Sequence, residues 1–224
     1  MRSKSVVLLS GGLDSAANLA IAADRDQVIL AVTFDYGQKA AKKEIAAARK
    51  FTAYYDVRHE VIELPFLREI GGSSLIDYSQ SVPSISLEDL EKRDRTRETA
   101  KSVWVPNRNG IMINIAAAFA EKLVADQIVV GFNKEEAVNF RDNSLAFLER
   151  VSDSLAMSTA NSVKAACYTV GQDKREIVRT LVALPKKFPF EYVWSCYLGE
   201  ETQCGSCESC RRFERALSVL NQRG

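Results

Sequence analysis

Val6-Val7-Leu8-Leu9-Ser10-Gly11-Gly12-Leu13-Asp14-Ser15 is the stretch on which the fold turns. A short unbroken apolar run, stopped by Ser-Gly-Gly and followed by an alanine-rich helical stretch from Leu13 to Ala23, reads as a buried strand feeding a helix. Two glycines let the backbone turn tightly and come close to a ligand. The free N–H groups at the start of the helix then point at anionic oxygens. Ser10 and Ser15 add hydroxyl donors, and Asp14 is suited to orient magnesium or a pyrophosphate through water. Asp14 or Ser15 also stands near the amino end of the helix as a cap. The loop does not end in Gly-Lys-Ser/Thr, so transfer of a terminal phosphoryl group is not implied.

Outward from this loop, strand and helix alternate. Val28–Phe34 is a second β-branched strand, closed by Asp35-Tyr36-Gly37-Gln38. Lys39–Tyr54 reads as a long helix and Val57–Leu64 as a third strand. Such alternation predicts an α/β fold with a parallel sheet covered on both faces. Residues 65–102 break the rhythm with Gly71-Gly72, a serine-rich stretch and a charged run from Glu88 to Lys101. This segment reads either as a solvated surface excursion or as a lid whose Arg93, Arg95, Arg97 and Lys101 suit anions. Helices are expected again at Gly110–Leu123, Ser144–Thr159, Asp173–Leu184 and Arg211–Leu220, with a fourth strand at Gln127–Val130.

The chain of 224 residues is 46% apolar and 26% charged, ordinary for a soluble globular protein with one core. Its 30 basic and 29 acidic side chains nearly cancel, so neither a stable nucleic-acid complex nor a membrane partner is expected. The four apolar residues before Ser10 are too few for a signal peptide and no run is long enough to span a bilayer, so a cytoplasmic location is expected.

Four of the five cysteines follow the pattern Cys196-x7-Cys204-x2-Cys207-x2-Cys210. Clustered thiolates in a reducing compartment speak for a metal, with structural zinc favoured and an iron–sulfur cluster as the rival. Cys167 stands apart and reads as a core thiol, and the single histidine, His59, lies remote from every motif.

The loop Ser10–Ser15 resembles the SGGxDS loop of the PP-loop ATP pyrophosphatase superfamily. That resemblance implies a three-layer, Rossmann-like sandwich of the adenine-nucleotide α-hydrolase type, with ATP and Mg2+ bound and ATP split between its alpha and beta phosphates. Asp35-Tyr36-Gly37-Gln38, Val105-Pro106-Asn107-Arg108-Asn109, Gly131-Phe132-Asn133, Asp173-Lys174-Arg175-Glu176 and Trp194-Ser195-Cys196-Tyr197 follow in order, ahead of the three-cysteine loop. Together they resemble the 7-cyano-7-deazaguanine synthase family over nearly the whole chain.

What this implies is a catalytic domain over residues 1–190, and a zinc-binding region over 191–224 packed on it. The implied reaction turns 7-carboxy-7-deazaguanine and ammonia into the nitrile through adenylated intermediates, on the route to queuosine and archaeosine. Ser10, Gly11, Gly12, Leu13, Asp14 and Ser15 would hold the pyrophosphate end of ATP. Tyr36 and Gln38 would line the nucleotide pocket, unless they merely cap the second strand. Arg108 would contact a phosphate or the substrate carboxylate, with Asn109 and Asn133 nearby. Lys174 reads either as a phosphate contact with Asp14 and Arg108 in catalysis or as a solvated helix start.

In one place the chain departs from the family. A Tyr-Pro-Asp-Cys-Arg-like segment is usual there, and this chain has Asn139-Phe140-Arg141-Asp142-Asn143-Ser144. Phe140 keeps a ring able to stack and Asp142 an acceptor for a guanine-like edge, while Arg141 or Arg108 is left to replace the missing arginine. The competing readings are another adenylating enzyme of the superfamily acting on a related deazapurine or on tRNA, and a non-catalytic nucleotide-binding protein. A homodimer is compatible with either.

Overall fold

Val6 and Val7 are both fully buried and belong to different apolar clusters, as a strand with two covered faces requires. The computed structural model describes residues 2–223. Five strands, β1 (Lys4–Leu8), β2 (Gln27–Asp35), β3 (His59–Glu63), β4 (Gln127–Val129) and β5 (Lys164–Ala166), form one sheet in the order β3-β2-β1-β4-β5. Every neighbouring pair is parallel.

Helices cover both faces. On the face of Val7 and Ala31 lie α1 (Leu13–Arg25), α2 (Ala41–Tyr55), α8 (Lys174–Val182) and α9 (Glu208–Leu217), contributing Leu19, Phe51, Ile177 and Ala216 to one core. On the face of Val6 and Val32 lie α3 (Pro65–Ile70), α4 (Arg93–Val103), α5 (Arg108–Lys122) and α7 (Leu145–Ser158), with Leu67, Val103, Ile113 and Leu155 in the other core. A short α6 (Lys134–Ala137) follows β4. The expected three-layer α/β sandwich is therefore the architecture observed.

Strand order reverses at β1: the chain first builds outward through β2 and β3, then returns to add β4 on the other side. Ligands of open parallel sheets lie beyond the strand ends at such a reversal. The loop after β1 and the exit of β4 meet there. A Cβ on Gly131 would fall 2.5 Å from both the N and Cα of Ser15, so only glycine lets the two segments approach. Gly131→Ala is accordingly expected to destabilise the protein by about 3 kcal/mol, the upper end for overpacking, because the obstacle is backbone. Chemical denaturation measures this, and a loss below about 0.5 kcal/mol would contradict the close approach.

Within residues 65–102 part of the chain is packed into the protein and part is solvated. Ser73 and Ser74 are fully buried, and Leu75, Ile85, Leu90 and Ala100 are buried with them. Backbone bonds run from Lys39 N–H to Leu75 O and from Ile85 N–H to Ser206 O, and Ser84 bridges to Cys207. Arg93, Arg95, Arg97 and Lys101 all face solvent. Four strands were expected and a fifth, Lys164–Ala166, is present; its Lys-Ala-Ala sequence lacks the β-branched residues that mark strands. The last helix begins at Glu208 rather than Arg211, because Cys207 occupies its N-cap. No helix among the described residues is long and apolar enough to cross a membrane.

Candidate active site

The first turn of α1 follows Gly12, whose extended conformation makes it the N-cap. Neither Asp14 nor Ser15 caps the helix, contrary to expectation. The Ser15 hydroxyl instead donates to Gly12 O at 3.2 Å and accepts from Ser10 N–H at 3.1 Å, with the Ser10 hydroxyl 3.1 Å away. These bonds brace the loop, while the N–H groups of the first helical turn have no helical partner. Gly11, at φ +81°, lies where a Cβ would come within 2.7 Å of Ala47 Cβ and 2.9 Å of Glu44 O. Glycine is thus needed to seat the loop against α2.

Asp14 turns sideways. Its carboxylate pairs with the Lys174 ammonium, which also reaches Glu136 at 3.0 Å. Lys174 is only 4% exposed, so the reading of a solvated helix start is overturned. A reciprocal cap fixes its position: Asp173 accepts from Glu176 N–H and Glu176 accepts from Asp173 N–H, each at 2.8 Å. Burial pushes the Asp14 carboxyl up to about 6, against the downward pull of Lys174. For Lys174, burial works to depress the ammonium, but Asp14 and Glu136 together raise it, and it stays charged. One Asp14 oxygen, Oδ1, is buried without a hydrogen-bond partner. An orphaned carboxylate oxygen beside free helix N–H groups is the donor set that a phosphate-bound divalent cation would satisfy.

A cavity of about 250 Å³ opens from this loop. Ser10, Gly12, Leu13, Asp14 and Ser15 line one end with Lys174. Arg108, Asn109, Phe140 and Asp142 line it too, as do Tyr36 and Gln38. Arg108 opens α5 after Asn107, which adopts the left-handed conformation at φ 51°. Its guanidinium donates to the Tyr36 hydroxyl at 3.1 Å. Burial raises the Asp142 carboxyl above its ordinary range, opposed by Arg108 and by the amides of Asn143 and Asn109. Of the two arginines able to replace the family's usual one, Arg108 lines the cavity and Arg141 is exposed outside it.

Gln38 does two things at once. Its side chain accepts from Tyr36 N–H at 2.9 Å and donates to Phe34 O at 3.1 Å and Glu44 at 2.8 Å, so it closes β2 and also forms cavity wall. Gly11 and Asn133 are not part of the lining. Asn133 is fully buried and caps α6, accepting from Glu136 N–H at 2.9 Å, so it positions Glu136 rather than facing the cavity.

Three lining residues, Trp104, Glu44 and Glu136, had no marker in the sequence as functional. Trp104 lies parallel to Phe140, with centroids 6.1 Å apart and planes 8° from parallel. Glu44 is the one acid of α2 and Glu136 follows Glu135 in α6, and only tertiary placement brings the two to the cavity. Trp194 borders the phosphate loop, its backbone N–H donating to Gly11 O at 3.0 Å.

Two residues beyond Trp194 the cysteine cluster begins. The sulfurs of Cys196, Cys204, Cys207 and Cys210 all lie within 4.8 Å of one another. Four thiolates about 2.3 Å from one tetrahedral ion stand roughly 3.8 Å apart, so little movement is needed to bind one. Hydrogen bonds from the Cys207 and Cys210 thiols hold the Cys196 thiol far below its usual range. Cys167 lies away from this group, half-buried beside Phe132, whose N–H it accepts at 3.4 Å.

A family model described as queuosine biosynthesis protein QueC matches residues 4–221. The chain belongs to the QueC family. A 7-cyano-7-deazaguanine synthase of Pelotomaculum thermopropionicum is 50% identical over 216 residues, covering 96% of this chain and 97% of that one. Its namesake in Bdellovibrio bacteriovorus is 48% identical over 219 residues, covering 97% and 94%. The archaeal counterpart from Methanosarcina barkeri is 49% identical over 217 residues, covering 96% and 93%. Among solved structures, an NMN synthetase from Francisella tularensis superposes with a TM-score of 0.50 at 12% identity, covering 100% of this chain and 79% of that one. At that identity the match concerns the fold alone.

Proposed function

We propose that this QueC-family chain converts 7-carboxy-7-deazaguanine and ammonia to 7-cyano-7-deazaguanine, activating its substrate with ATP and serving queuosine and archaeosine precursor synthesis as a carbon–nitrogen ligase. One observation carries the reading: the start of α1, with its free N–H groups, and the polar and aromatic side chains of Arg108, Phe140 and Asp142 share one cavity. The likeness to relatives named for that product supports it.

A carboxylate resists attack by ammonia because its carbon is electron-rich and oxide is a poor leaving group. Transfer of AMP to the carboxylate oxygen supplies a good one. The first-turn N–H groups of α1, with Ser10 and Ser15, hold the pyrophosphate end of ATP. Mg2+ bound at the free oxygen of Asp14 would neutralise charge on those phosphates. Lys174 stays beside Asp14 and keeps its carboxylate oriented. Arg108 offers its fork to the substrate carboxylate, and Asp142 accepts N–H donors from the ring edge. Ammonia then displaces AMP to give an amide, and a second activation of the amide oxygen allows its loss as the nitrile forms. Zinc on the four cysteines has a structural role, since all four ligands come from protein and leave no open position.

The deciding assay supplies 7-carboxy-7-deazaguanine, ammonium, ATP and magnesium, and detects nitrile, AMP and pyrophosphate by mass spectrometry. A folded, metal-loaded protein that forms none of them would refute the reading. Trp104→Ala and Phe140→Ala are each expected to raise KM for the deazaguanine about tenfold with kcat little changed, since a base stacked on an aromatic ring gains about 1–3 kcal/mol. An unchanged KM in both variants would remove the rings from substrate binding.

A further inference from the structure

Amide formation releases a proton, and no group named so far takes it. Ammonia attacking an acyl-adenylate forms a C–N bond and breaks the bond from carbon to the AMP oxygen, whose electron pair leaves with the phosphate. The nitrogen is then cationic and must lose one proton for the neutral amide to result. Four carboxylates line the cavity: Asp14, Glu44, Glu136 and Asp142. Asp14 and Glu136 share the single Lys174 ammonium as ion-pair partner. Asp142 faces Arg108 and takes amide donors from its neighbours. Glu44 is left without an ion pair among the described residues.

Its setting is a constructed one. One Glu44 oxygen accepts from Gln38 Nε2 at 2.8 Å, and Gln38 is itself fastened to the backbone at the end of β2. The second oxygen receives no hydrogen bond from any described residue. The carbonyl of Glu44 packs beneath the phosphate loop, where a Cβ on Gly11 would lie 2.9 Å from it. The backbone of Glu44 is thereby held against this loop, and its side chain lines the same cavity as Ser10, Gly12 and Asp14.

Resting on the adenylation reading above, we propose that Glu44 binds ammonia in the cavity and accepts the proton that its nitrogen sheds as the amide forms. Gln38 is a positioning residue that fixes one oxygen so that the other faces the nucleophile. Burial also raises the Glu44 carboxyl above its ordinary range, opposed by Gln38 and Arg108, which makes it a stronger base than an exposed glutamate.

The test separates the nucleophilic step from activation. In the Glu44→Gln protein, substrate-dependent exchange between pyrophosphate and ATP is expected within about threefold of wild type, while the ammonia-dependent step falls at least 100-fold, on the order of a lost general base. Hydroxylamine gives a more acidic adduct that loses its proton to water, so trapping of the adenylate as hydroxamate is expected to stay within about threefold. Glu44→Asp keeps a base on a shorter arm and is expected to recover roughly tenfold over Glu44→Gln, which provides a second measurement if the glutamine variant does not fold. Normal exchange with an undiminished ammonia step would overturn the role of Glu44 alone. Parallel loss of nitrile and hydroxamate would overturn it too, by making Glu44 part of the cavity wall only. Absence of exchange in the wild-type protein would instead refute adenylation, and this inference with it.

Discussion

Replacing Lys174 by methionine is expected to destabilise the protein by about 3–5 kcal/mol, because the ammonium is the shared partner of two largely buried carboxylates. For a chain of this size that corresponds to a fall in Tm of roughly 6–20 °C. Methionine replaces the length of the lysine stem, so lost packing contributes little. The direction of a further change follows from the same pairing. The Asp14 carboxyl already sits near about 6 because burial outweighs Lys174, and removing the lysine should move its midpoint higher. A carboxylate that is protonated near neutrality no longer attracts Mg2+, so pyrophosphate release should fall by about 100-fold or more. Asp14→Asn combined with Lys174→Met should cost less stability than the two separate losses added, since the pair is one unit. A Tm within about 2 °C of wild type for Lys174→Met would show that the pair carries little energy.

Removal of the metal is the second change with a large expected effect. Binding to the folded state alone stabilises by RT ln(1 + [L]/Kd), about 4 kcal/mol at a thousandfold excess of free metal over Kd. Chelation, or Cys207→Ser, is therefore expected to lower Tm by roughly 8–16 °C. The effect should spread beyond the cysteines along contacts already described. Cys207 caps α9 and bridges to Ser84, and α9 carries Arg212 and Arg215, both paired with Glu135. Glu135 in turn accepts from Lys174 N–H at 3.0 Å. Hydrogen exchange after chelation should accelerate first at residues 196–217 and 84–90, and then at the start of α8. Elemental analysis is expected to give about one zinc per chain. A Tm unmoved by chelation, with the metal shown to be gone, would deny the cluster its structural role.

Both predictions depend on placements that the sequence hinted at unequally. The Asp173–Glu176 cap and the Cys-x2-Cys steps are local patterns, so their meaning could be read within a few residues. The shared partnership of Lys174 with Asp14 joins residues 160 positions apart, and nothing local announces it. Residues 65–102 left two readings open for a related reason: their serines and charges look alike in sequence, and only the fold separates buried Ser73 and Ser74 from solvated Arg93, Arg95, Arg97 and Lys101. The short β5 escaped because its alanines gain strand character only from pairing with β4.

By itself the sequence determined the alternation of strands and helices, the glycine turn after the first strand and the clustering of four cysteines. Each rests on periodicity or spacing within a short stretch, where backbone geometry and ligand reach are the governing physics. Tertiary structure alone decided which side chains face one another across the sheet reversal. It set Arg108 rather than Arg141 in the cavity, turned Asn133 away to cap α6, and brought Glu44, the one acid of α2, to the cavity wall. Those outcomes depend on burial and on partners far apart in the chain, and a charged residue's role is fixed by whether water or another side chain answers its charge.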